Sequence, residues 1–333
     1  MHEPAFWWRK AGLLSALLAP LGAAYGAVAA ARMNRTGARA GVPVICVGNF
    51  TLGGAGKTPT AITLAAMLHA AGRRPFFLSR GYGGSEAGPK LVNAHSDTAA
   101  HVGDEPLLLA RIAPTVVARD RVAGAKMACA HGADVIIMDD GLQNGTLAKD
   151  FTLAVVDGRR GIGNARVFPA GPLRAPLNAQ FARVDAMLVI GNGGDAQAVV
   201  ADATTRKLPV FHGRLVPDAV AVGDLRARKV LAFAGIGNPE KFFASAEDVG
   251  LTIAERRPFP DHHCFTAEEA AALIVDAEQE GLALLTTEKD HARMAGEPAL
   301  AALAAATHVL PVKLAVDESE ALHRVVFAKL GDL

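Results

Sequence analysis

The chain has 333 residues, of which 51% are hydrophobic and 20% are charged, and its formal net charge is +1. A chain of this length fits two α/β domains better than one ordinary core. The near-neutral balance excludes a disordered protein and the basic composition of most nucleic-acid-binding proteins, so no nucleic acid is expected as a partner. Three separated cysteines without C-x-x-C spacing suit a reducing compartment.

The N-terminus carries an apolar run. Residues 11–31 contain no charged side chain, and as a helix they would extend roughly 30 Å, about the thickness of a bilayer core. Trp7 and Trp8 stand at its start beside two basic residues, an arrangement typical of a membrane interface. The alternatives are a cleaved signal peptide and a core helix kinked at Pro20. We expect a membrane-associated helix within residues 1–37, spanning or lying in the bilayer, with the remainder of the chain cytoplasmic.

After residue 37 the sequence alternates short β-branched runs with helical stretches. The strands predicted for a first domain, residues 38–216, are 42–47, 75–78, 115–118, 135–138, 153–156 and 186–190. The helices predicted between them include 58–71, 105–112 and 119–131. Nearly continuous apolar strands separated by helices predict an α/β fold with a parallel sheet covered on both faces.

A second, smaller α/β domain is predicted for residues 217–333. The alternating pattern pauses at V-P-D-A-V-A-V-G-D (216–224) and then restarts. The predicted strands of this domain are 230–234, 282–286 and 308–311, and its predicted helices begin at Pro239 or cover 267–278 and 319–330.

The stretch V-I-C-V-G-N-F-T-L-G-G-A-G-K-T-P-T (44–60) resembles a phosphate-binding loop between a strand and a helix. Thr51 stands where the strict P-loop pattern requires glycine, whereas the G-x-G-K-T core is present. Lys57 would contact the β- and γ-phosphates, and the Thr58 hydroxyl would contact Mg²⁺. A glycine-rich turn with an incidental lysine is the alternative. The residues predicted to bind the nucleotide are Thr51, Gly53, Gly54, Ala55, Gly56, Lys57 and Thr58. The first domain is therefore expected to be of P-loop NTPase type.

The segment A-D-V-I-I-M-D-D-G-L-Q (133–143) is an apolar strand that ends in two acids. Asp139 and Asp140 stand where a Walker B strand presents a carboxylate to Mg²⁺, and the sequence leaves open which of them touches the metal. The string T-E-K-D (287–290) has its lysine in the wrong place for a guanine-specific motif, so ATP is the expected nucleotide. Two G-x-G-x-x-G lookalikes are incomplete, which disfavours a dinucleotide site.

The polar strings of the sequence occur in an order known from one protein family. They are V-G-N-F-T-L-G-G-A-G-K-T-P (47–59), S-R-G-Y-G (79–83), G-D-E-P (103–106), D-D-G-L-Q (139–143), F-P-A-G-P-L-R (168–174), F-A-G-I-G-N-P (233–239), F-P-D-H-H (259–263) and T-T-E-K-D (286–290). With these motifs the sequence resembles the tetraacyldisaccharide 4′-kinases, the membrane-associated P-loop kinases of lipid A biosynthesis.

The resemblance implies two α/β/α sandwich domains with mainly parallel sheets, the C-terminal one closing an active-site cleft. It implies transfer of the γ-phosphoryl group of ATP, with Mg²⁺, to the 4′-hydroxyl of a tetraacylated glucosamine disaccharide 1-phosphate. The product would be lipid IVA, made at the cytoplasmic face of the bacterial inner membrane. No obligate protein partner is evident.

The resemblance also implies roles for single residues. Asp104 of G-D-E-P would be the general base, paired with a histidine for which His262 is preferred over its neighbour His263. Such a histidine would orient the carboxylate and tune its basicity. Glu105 would assist the metal or the substrate. Further contacts to phosphate or substrate are expected from Arg80, Gln143, Arg174 and His263.

Two other functions fit a P-loop protein of this composition. One is a kinase or ligase for a soluble acceptor, and the other is a nucleotide-switch protein at the membrane. The Gly-Asp-Glu and Asp-His-His strings favour a kinase, because a switch needs to position water rather than to deprotonate an acceptor.

Overall fold

A computed structural model describes residues 3–331 of the chain, and these residues divide into two compact units. The larger unit consists of Glu3–Arg80, Ala118–Leu215 and the chain from Leu314 onward. The smaller unit consists of Gly81–Val117 and Val216–Lys313. Each unit is therefore built from segments that are distant in sequence. The division into 1–37, 38–216 and 217–333 stays a prediction.

The described residues form helices and strands in an alternating order. The strands are β1 (Val44–Asn49), β2 (Pro75–Ser79), β3 (Lys90–Leu91), β4 (Thr115–Val117), β5 (Val135–Asp139), β6 (Phe151–Asp157), β7 (Ala186–Ile190), β8 (Val210–Pro217), β9 (Lys229–Ala234), β10 (Thr252–Pro258), β11 (Ala283–Thr287), β12 (Thr307–Leu310) and β13 (Val312–Val316). The helices are α1 (Leu13–Met33), α2 (Lys57–Ala70), α3 (Ala99–Val102), α4 (Asp104–Ala110), α5 (Arg121–Ala130), α6 (Leu177–Phe181), α7 (Gln197–Thr205), α8 (Pro239–Asp248), α9 (Ala267–Gln279), α10 (Glu288–Met294), α11 (Ala301–Ala306) and α12 (Ser319–Leu330). Short 3₁₀ turns cover Ala5–Trp8, Gly223–Leu225 and Pro298–Leu300.

The sheet of the larger unit has the order β13-β8-β7-β6-β1-β5-β2. From β2 to β8 the pairs are parallel; Val47 on β1, for example, lies opposite Asp139 on β5 and Leu153 on β6. Every residue of β1, β5 and β7 is buried. Strands buried on both faces need apolar residues throughout, and this explains the continuous hydrophobic runs in the sequence.

The smaller unit contains a parallel sheet of order β10-β9-β11-β12 and an antiparallel pair of β3 with β4. Phe233 and Phe243 are fully buried in its core. Its helices begin at side-chain caps. Asn238 accepts a hydrogen bond from the Lys241 N–H at the start of α8, and Thr266 and Glu269 form a capping box at the start of α9.

Helix α1 packs on the larger unit with one face only. Gly22 lies against the chain, and a Cβ atom there would come within 2.8 Å of the Val167 carbonyl oxygen. The Ser15 hydroxyl donates a hydrogen bond of 2.7 Å to the Ala170 carbonyl. Small residues on this face therefore permit close contact with the F-P-A-G-P-L-R segment.

The aromatic residues before α1 strengthen this contact. Trp7 is buried, its ring lies edge-on to Phe168 at 6.0 Å, and its Nε1–H donates to the Pro169 carbonyl at 3.1 Å. Trp7 therefore faces the protein, although its position at the start of the apolar run suggested a membrane interface. Among the described residues, only α1 is long and apolar enough to be a candidate membrane span.

The predicted α/β class with mainly parallel sheets is confirmed. Each predicted strand corresponds to an observed one to within two residues at its start. The sequence analysis did not name β3, β8, β10, β13, α3, α6, α7, α10 and α11, most of which are short or lie at a sheet edge.

Candidate active site

The phosphate loop leaves the buried strand β1 and ends at the first turn of α2. Gly53 and Gly56 both have a φ of +94°, which side chains of L-residues rarely adopt, so glycine is required at these two positions. Thr51 has no positive φ; it pairs as a β-bridge with Leu173. The position that departs from the strict P-loop pattern therefore does not need a glycine.

Lys57 starts α2 and is buried beneath the loop. Its Nζ donates to the Asn49 Oδ1 at 3.3 Å and lies 3.7 Å from the Asp140 Oδ1. Asn49 in turn donates from its Nδ2 to the Gly53 carbonyl at 3.2 Å. The end of β1, the loop and the lysine are thus held together by side-chain hydrogen bonds.

The two acids at the end of β5 have different surroundings. Asp139 is buried within the strand, and Asp140 follows it with a φ of +52°. Non-glycine residues with positive φ are uncommon and are concentrated at functional sites. Arg174 Nη1 donates to both carboxylate oxygens of Asp140 at 2.9 Å. Burial opposes ionisation of Asp140, but Lys57 and Arg174 outweigh it and lower the pKa of this carboxyl to about 2.

Arg174 also ties the F-P-A-G-P-L-R segment to the phosphate loop. Its Nε donates to the Thr51 carbonyl at 2.8 Å, and its backbone N–H donates to the Phe50 carbonyl at 2.9 Å. Gln143 donates from its Nε2 to the Asn49 carbonyl at 2.9 Å. The structure therefore brings the predicted residues Arg174 and Gln143 to the loop.

Arg121, which the sequence analysis did not single out, is buried at the start of α5 in the same unit. Burial lowers the pKa of its guanidinium to about 10, while the charges of Asp139 and Asp140 oppose that shift. The predicted residue Arg80 is exposed, and its positive charge also acts on Arg121. The two acids after β5 therefore have a further basic side chain within electrostatic reach, which the motifs alone did not indicate.

In the smaller unit, the structure brings Asp104 and His262 together. Asp104 is the first residue of α4 and is buried, and its Oδ2 lies 3.4 Å from the His262 Nδ1. His262 is half-buried and has a φ of +57°. The Tyr82 ring lies edge-on to the imidazole at 5.3 Å. His262, rather than its neighbour, is thus the partner of Asp104.

The carboxylate of Asp104 is saturated with donors. Arg293 approaches its Oδ2 with Nε at 2.9 Å and Nη2 at 2.8 Å, and the Glu105 N–H donates to its Oδ1 at 2.9 Å. Burial opposes ionisation, but the hydrogen bond from His262 and the charges of Arg293 and Lys289 hold the pKa of Asp104 well below its ordinary value. The hydrogen bond to Asp104 raises the pKa of His262 above its ordinary value, against the effect of burial.

The remaining predicted residues of the smaller unit are engaged elsewhere. The Glu105 carboxylate accepts a hydrogen bond of 2.5 Å from the Lys289 Nζ. His263 bonds through Nε2 to the Glu269 carboxylate at 2.8 Å and stacks on Phe259. The predicted roles of Glu105 toward metal and of His263 toward substrate remain predictions.

A glycine-rich loop between a buried parallel strand and a helix, with carboxylates at the end of the adjacent strand, defines a P-loop nucleotide-binding protein. The family model for tetraacyldisaccharide-1-P 4′-kinase matches residues 14–331. The tetraacyldisaccharide 4′-kinase of Methylobacterium sp. (strain 4-46) is 58% identical over 322 residues, 96% of this chain and 95% of that protein. The corresponding protein of Rhodopseudomonas palustris (strain BisB5) is 54% identical over 331 residues, 99% of this chain and 97% of that protein. The chain belongs to the tetraacyldisaccharide 4′-kinase family.

A solved structure agrees with this assignment. The crystal structure of LpxK from Aquifex aeolicus in complex with ATP matches with a TM-score of 0.72 at 26% identity, over 96% of this chain and all of that one. The family resemblance and the expectation that the chain is a kinase are thereby confirmed.

Of three site residues that the sequence analysis did not predict, Asn49 and Arg293 carried a weak sequence signal and Arg121 carried none. Asn49 lies inside a quoted motif at the end of a strand, where a side chain reaches the following loop. Arg293 comes three residues after Asp290 of T-T-E-K-D, on the same face of α10. Arg121 is one of several arginines at a helix start, and only its burial distinguishes it.

Proposed function

We propose that the protein transfers the γ-phosphoryl group of ATP to the 4′-hydroxyl of a tetraacylated glucosamine disaccharide 1-phosphate and so forms lipid IVA. The observation that carries the proposal is the Asp104–His262 pair, a histidine that can accept a proton and the carboxylate that orients it, in a chain of this family with a phosphate loop. The larger unit would hold the ATP phosphates, and the smaller unit would supply the base.

The larger unit supplies positive charge and backbone donors. Phosphoryl transfer needs in-line positioning and neutralisation of charge on the transferred group. The loop N–H groups would wrap the phosphates, and Lys57 and Arg174 would neutralise them. Asp140 pairs with both cations and holds them beside the loop, so binding of the triphosphate does not have to order two free side chains.

The donor set fits a magnesium ion that accompanies ATP. No cluster of three or more His, Cys, Asp or Glu side chains suited to a metal occurs among residues 3–331. Magnesium in P-loop enzymes does not need one, because it keeps waters and phosphate oxygens and takes a hydroxyl and a carboxylate from the protein. Thr58 and Asp139 would hold it, since Asp140 is committed to Arg174. The ion would neutralise charge on the phosphates.

His262 is better placed than Asp104 to accept the proton of the acceptor hydroxyl. The Asp104 oxygens are occupied by Arg293, His262 and a backbone N–H, and the carboxyl has a depressed pKa. With Nδ1–H donating to Asp104, the Nε2 of His262 carries the lone pair and can accept a proton. Asp104 would then fix the tautomer and stabilise the imidazolium.

Helix α1 would hold the enzyme on the cytoplasmic face of the inner membrane, where its acylated acceptor resides. One face is docked through Ser15 and Gly22, so a spanning orientation would require those contacts to break. The large hydrophobic side chains exposed on α1 are those of Leu13, Leu14, Leu17, Leu21, Tyr25 and Val28. Exposed basic residues flank the helix, namely Arg9, Lys10, Arg32 and Arg35. Such a helix lies in the membrane interface.

The test is a transfer assay with ATP labelled in the γ-phosphoryl group and the disaccharide 1-phosphate in mixed micelles. We expect label in the lipid and ATP consumption that depends on the lipid. Label in a soluble sugar only would favour a kinase for a soluble acceptor, and ATP hydrolysis without any labelled acceptor would favour a nucleotide switch. Either result overturns the proposal.

Two variants assign the roles within that assay. His262→Gln should lower kcat by about 10²–10⁴, the usual contribution of a general base, with the KM for ATP little changed. His308→Gln is the matched control in the same unit and should stay close to wild type, because His308 is an exposed residue of β12 outside the motifs of the site. Lys57→Met should weaken both ATP binding and transfer. Equal losses for the two histidine variants would contradict the assignment.

A further inference from the structure

Two motifs of the sequence, F-A-G-I-G-N-P (233–239) and T-T-E-K-D (286–290), have no role in the proposed reaction so far. Within the smaller unit they meet at one buried side chain, Arg293 of α10. This arginine is not part of either motif, but it bonds to a residue of each, to Gly235 and to Asp290.

Arg293 contacts Asp104 directly and is linked to His262 through the Gly235 carbonyl. On one side, its Nε and Nη2 hold the Asp104 Oδ2 at 2.9 and 2.8 Å. On the other side, its Nη1 donates to the Gly235 carbonyl at 2.8 Å. The same carbonyl accepts the backbone N–H of His262 at 3.0 Å. One guanidinium thus joins the carboxylate to the backbone that carries the imidazole.

The arginine is itself fixed in place. Its Nη1 lies 2.6 Å from the Asp290 Oδ1, which also accepts the Gly235 N–H at 2.9 Å. Thr287 donates its hydroxyl to the other Asp290 oxygen at 2.6 Å. Gly235 has no room for a side chain, since a Cβ atom there would lie 3.0 Å from both Asp290 and His263. The two motifs therefore form a rigid holder for the guanidinium.

We propose that Arg293 is a positioning residue of the phosphoryl transfer, which acts by holding Asp104 and His262 in the geometry in which His262 accepts the acceptor's proton. This inference rests on the proposed function. A guanidinium suits the task because its planar fork donates in several directions at once, whereas an ammonium is a point charge. Lysine at this position would keep the charge and lose the link between Asp104 and Gly235.

The experiment compares Arg293→Met and Arg293→Lys in the full-length enzyme, with the lipid transfer assay. We expect kcat to fall about 100-fold for Arg293→Met, the lower end of what a general base contributes, at little change in the KM for ATP. The matched control is Arg257→Met in the same unit. Arg257 pairs with Glu255 and Asp276, and its loss should leave kcat within about twofold because such exposed pairs contribute little.

A double-mutant cycle separates positioning from a purely structural role. If Arg293 acts through His262, adding Arg293→Met to His262→Gln should lower kcat by no more than about twofold beyond His262→Gln alone. A structural role would lower the activity of both backgrounds by the same factor. Additive losses therefore overturn the proposal.

The pH profile gives a second readout. The charged groups that act on His262 are Asp104 on α4, Asp261 beside it and Arg293 on α10, with Lys289 acting on Asp104. Arg293 lowers the pKa of His262, so Arg293→Met should move the acidic limb of kcat/KM to higher pH. Arg293→Lys keeps the charge and should lower kcat with little movement of that limb.

If Arg293→Met does not fold, as judged by thermal unfolding, Arg293→Lys carries the test, and normal kcat for a folded Arg293→Lys protein overturns the proposal. Active wild-type protein together with fully active Arg293 variants refutes this inference alone. Wild-type protein that phosphorylates no lipid disaccharide refutes the proposed function and this inference with it.

Discussion

The exposed leucines of α1 give a quantitative prediction about membrane binding. Leu17 and Leu21 lie on the outer face of the helix with 71% and 61% of their surface exposed. Replacing both by glutamine keeps residues that favour a helix and removes apolar area that only a membrane would bury. The fold should be unaffected, because exposed substitutions usually change the free energy of unfolding by less than about 0.5 kcal/mol.

The magnitude follows from the exposed fractions. Burying a whole leucine side chain is worth about 1.5–3 kcal/mol. The two exposed fractions together amount to roughly one and a third leucines, so transfer into the interface contributes about 2–4 kcal/mol. The vesicle partition coefficient should therefore fall by about 30- to 700-fold in Leu17→Gln/Leu21→Gln.

The assay is co-sedimentation with vesicles that contain anionic phospholipid. The matched control is Val220→Gln/Val275→Gln, which removes apolar side chains that are 90% and 46% exposed on the smaller unit. The control should bind vesicles as wild type does. Unchanged binding of the leucine variant, or an equal loss in the control, would refute the reasoning.

Two further predictions concern stability. Gly48→Ala should lower the free energy of unfolding by about 1–3 kcal/mol, because the new Cβ would lie 2.5 Å from the Leu142 Cβ. Thermal denaturation measures this change. The control is Gly194→Ala, which should be close to neutral because Gly194 has open space around it. His262→Gln should lower the free energy of unfolding most below about pH 6.5, because the raised pKa of His262 keeps the imidazole charged and paired with Asp104 there. In urea unfolding, the difference between variant and wild type should shrink as the pH rises through the pKa of His262. A cost that does not vary with pH would contradict the ion pair.

The fold could be predicted from the sequence where burial restricts which residue types can occur. Strands such as Val135–Asp139 are covered on both faces, so their residues must be apolar and the run is visible. Strand Thr252–Pro258 alternates between exposed and half-buried positions. Its charged residues interrupt the continuous apolar run by which the buried strands were predicted, although alternation is what a sheet edge shows. Edge elements were therefore missed for a physical reason.

The candidate site was predictable where chemistry depends on local spacing. The phosphate loop and the acids after β5 are contiguous in the chain, and their motifs suffice to find them. Arg293 and Asp104 are separated by 189 positions, and no spacing rule connects them. The pairing of Asp104 with His262 came from family resemblance, and coordinates were needed to distinguish His262 from His263.

Protonation of His262 has opposite effects on stability and on catalysis. While the imidazole is charged it pairs with Asp104 and stabilises the smaller unit, but it has no lone pair for the acceptor hydroxyl. A carboxylate alone would raise the pKa of His262 and extend this inactive state toward neutral pH. The charge of Arg293 opposes that rise, and its hydrogen bond from Nε together with its ion pair through Nη2 keeps Asp104 ionised and oriented. An arginine between the carboxylate and the imidazole backbone therefore limits the rise in the pKa of His262 without giving up the carboxylate that fixes its tautomer.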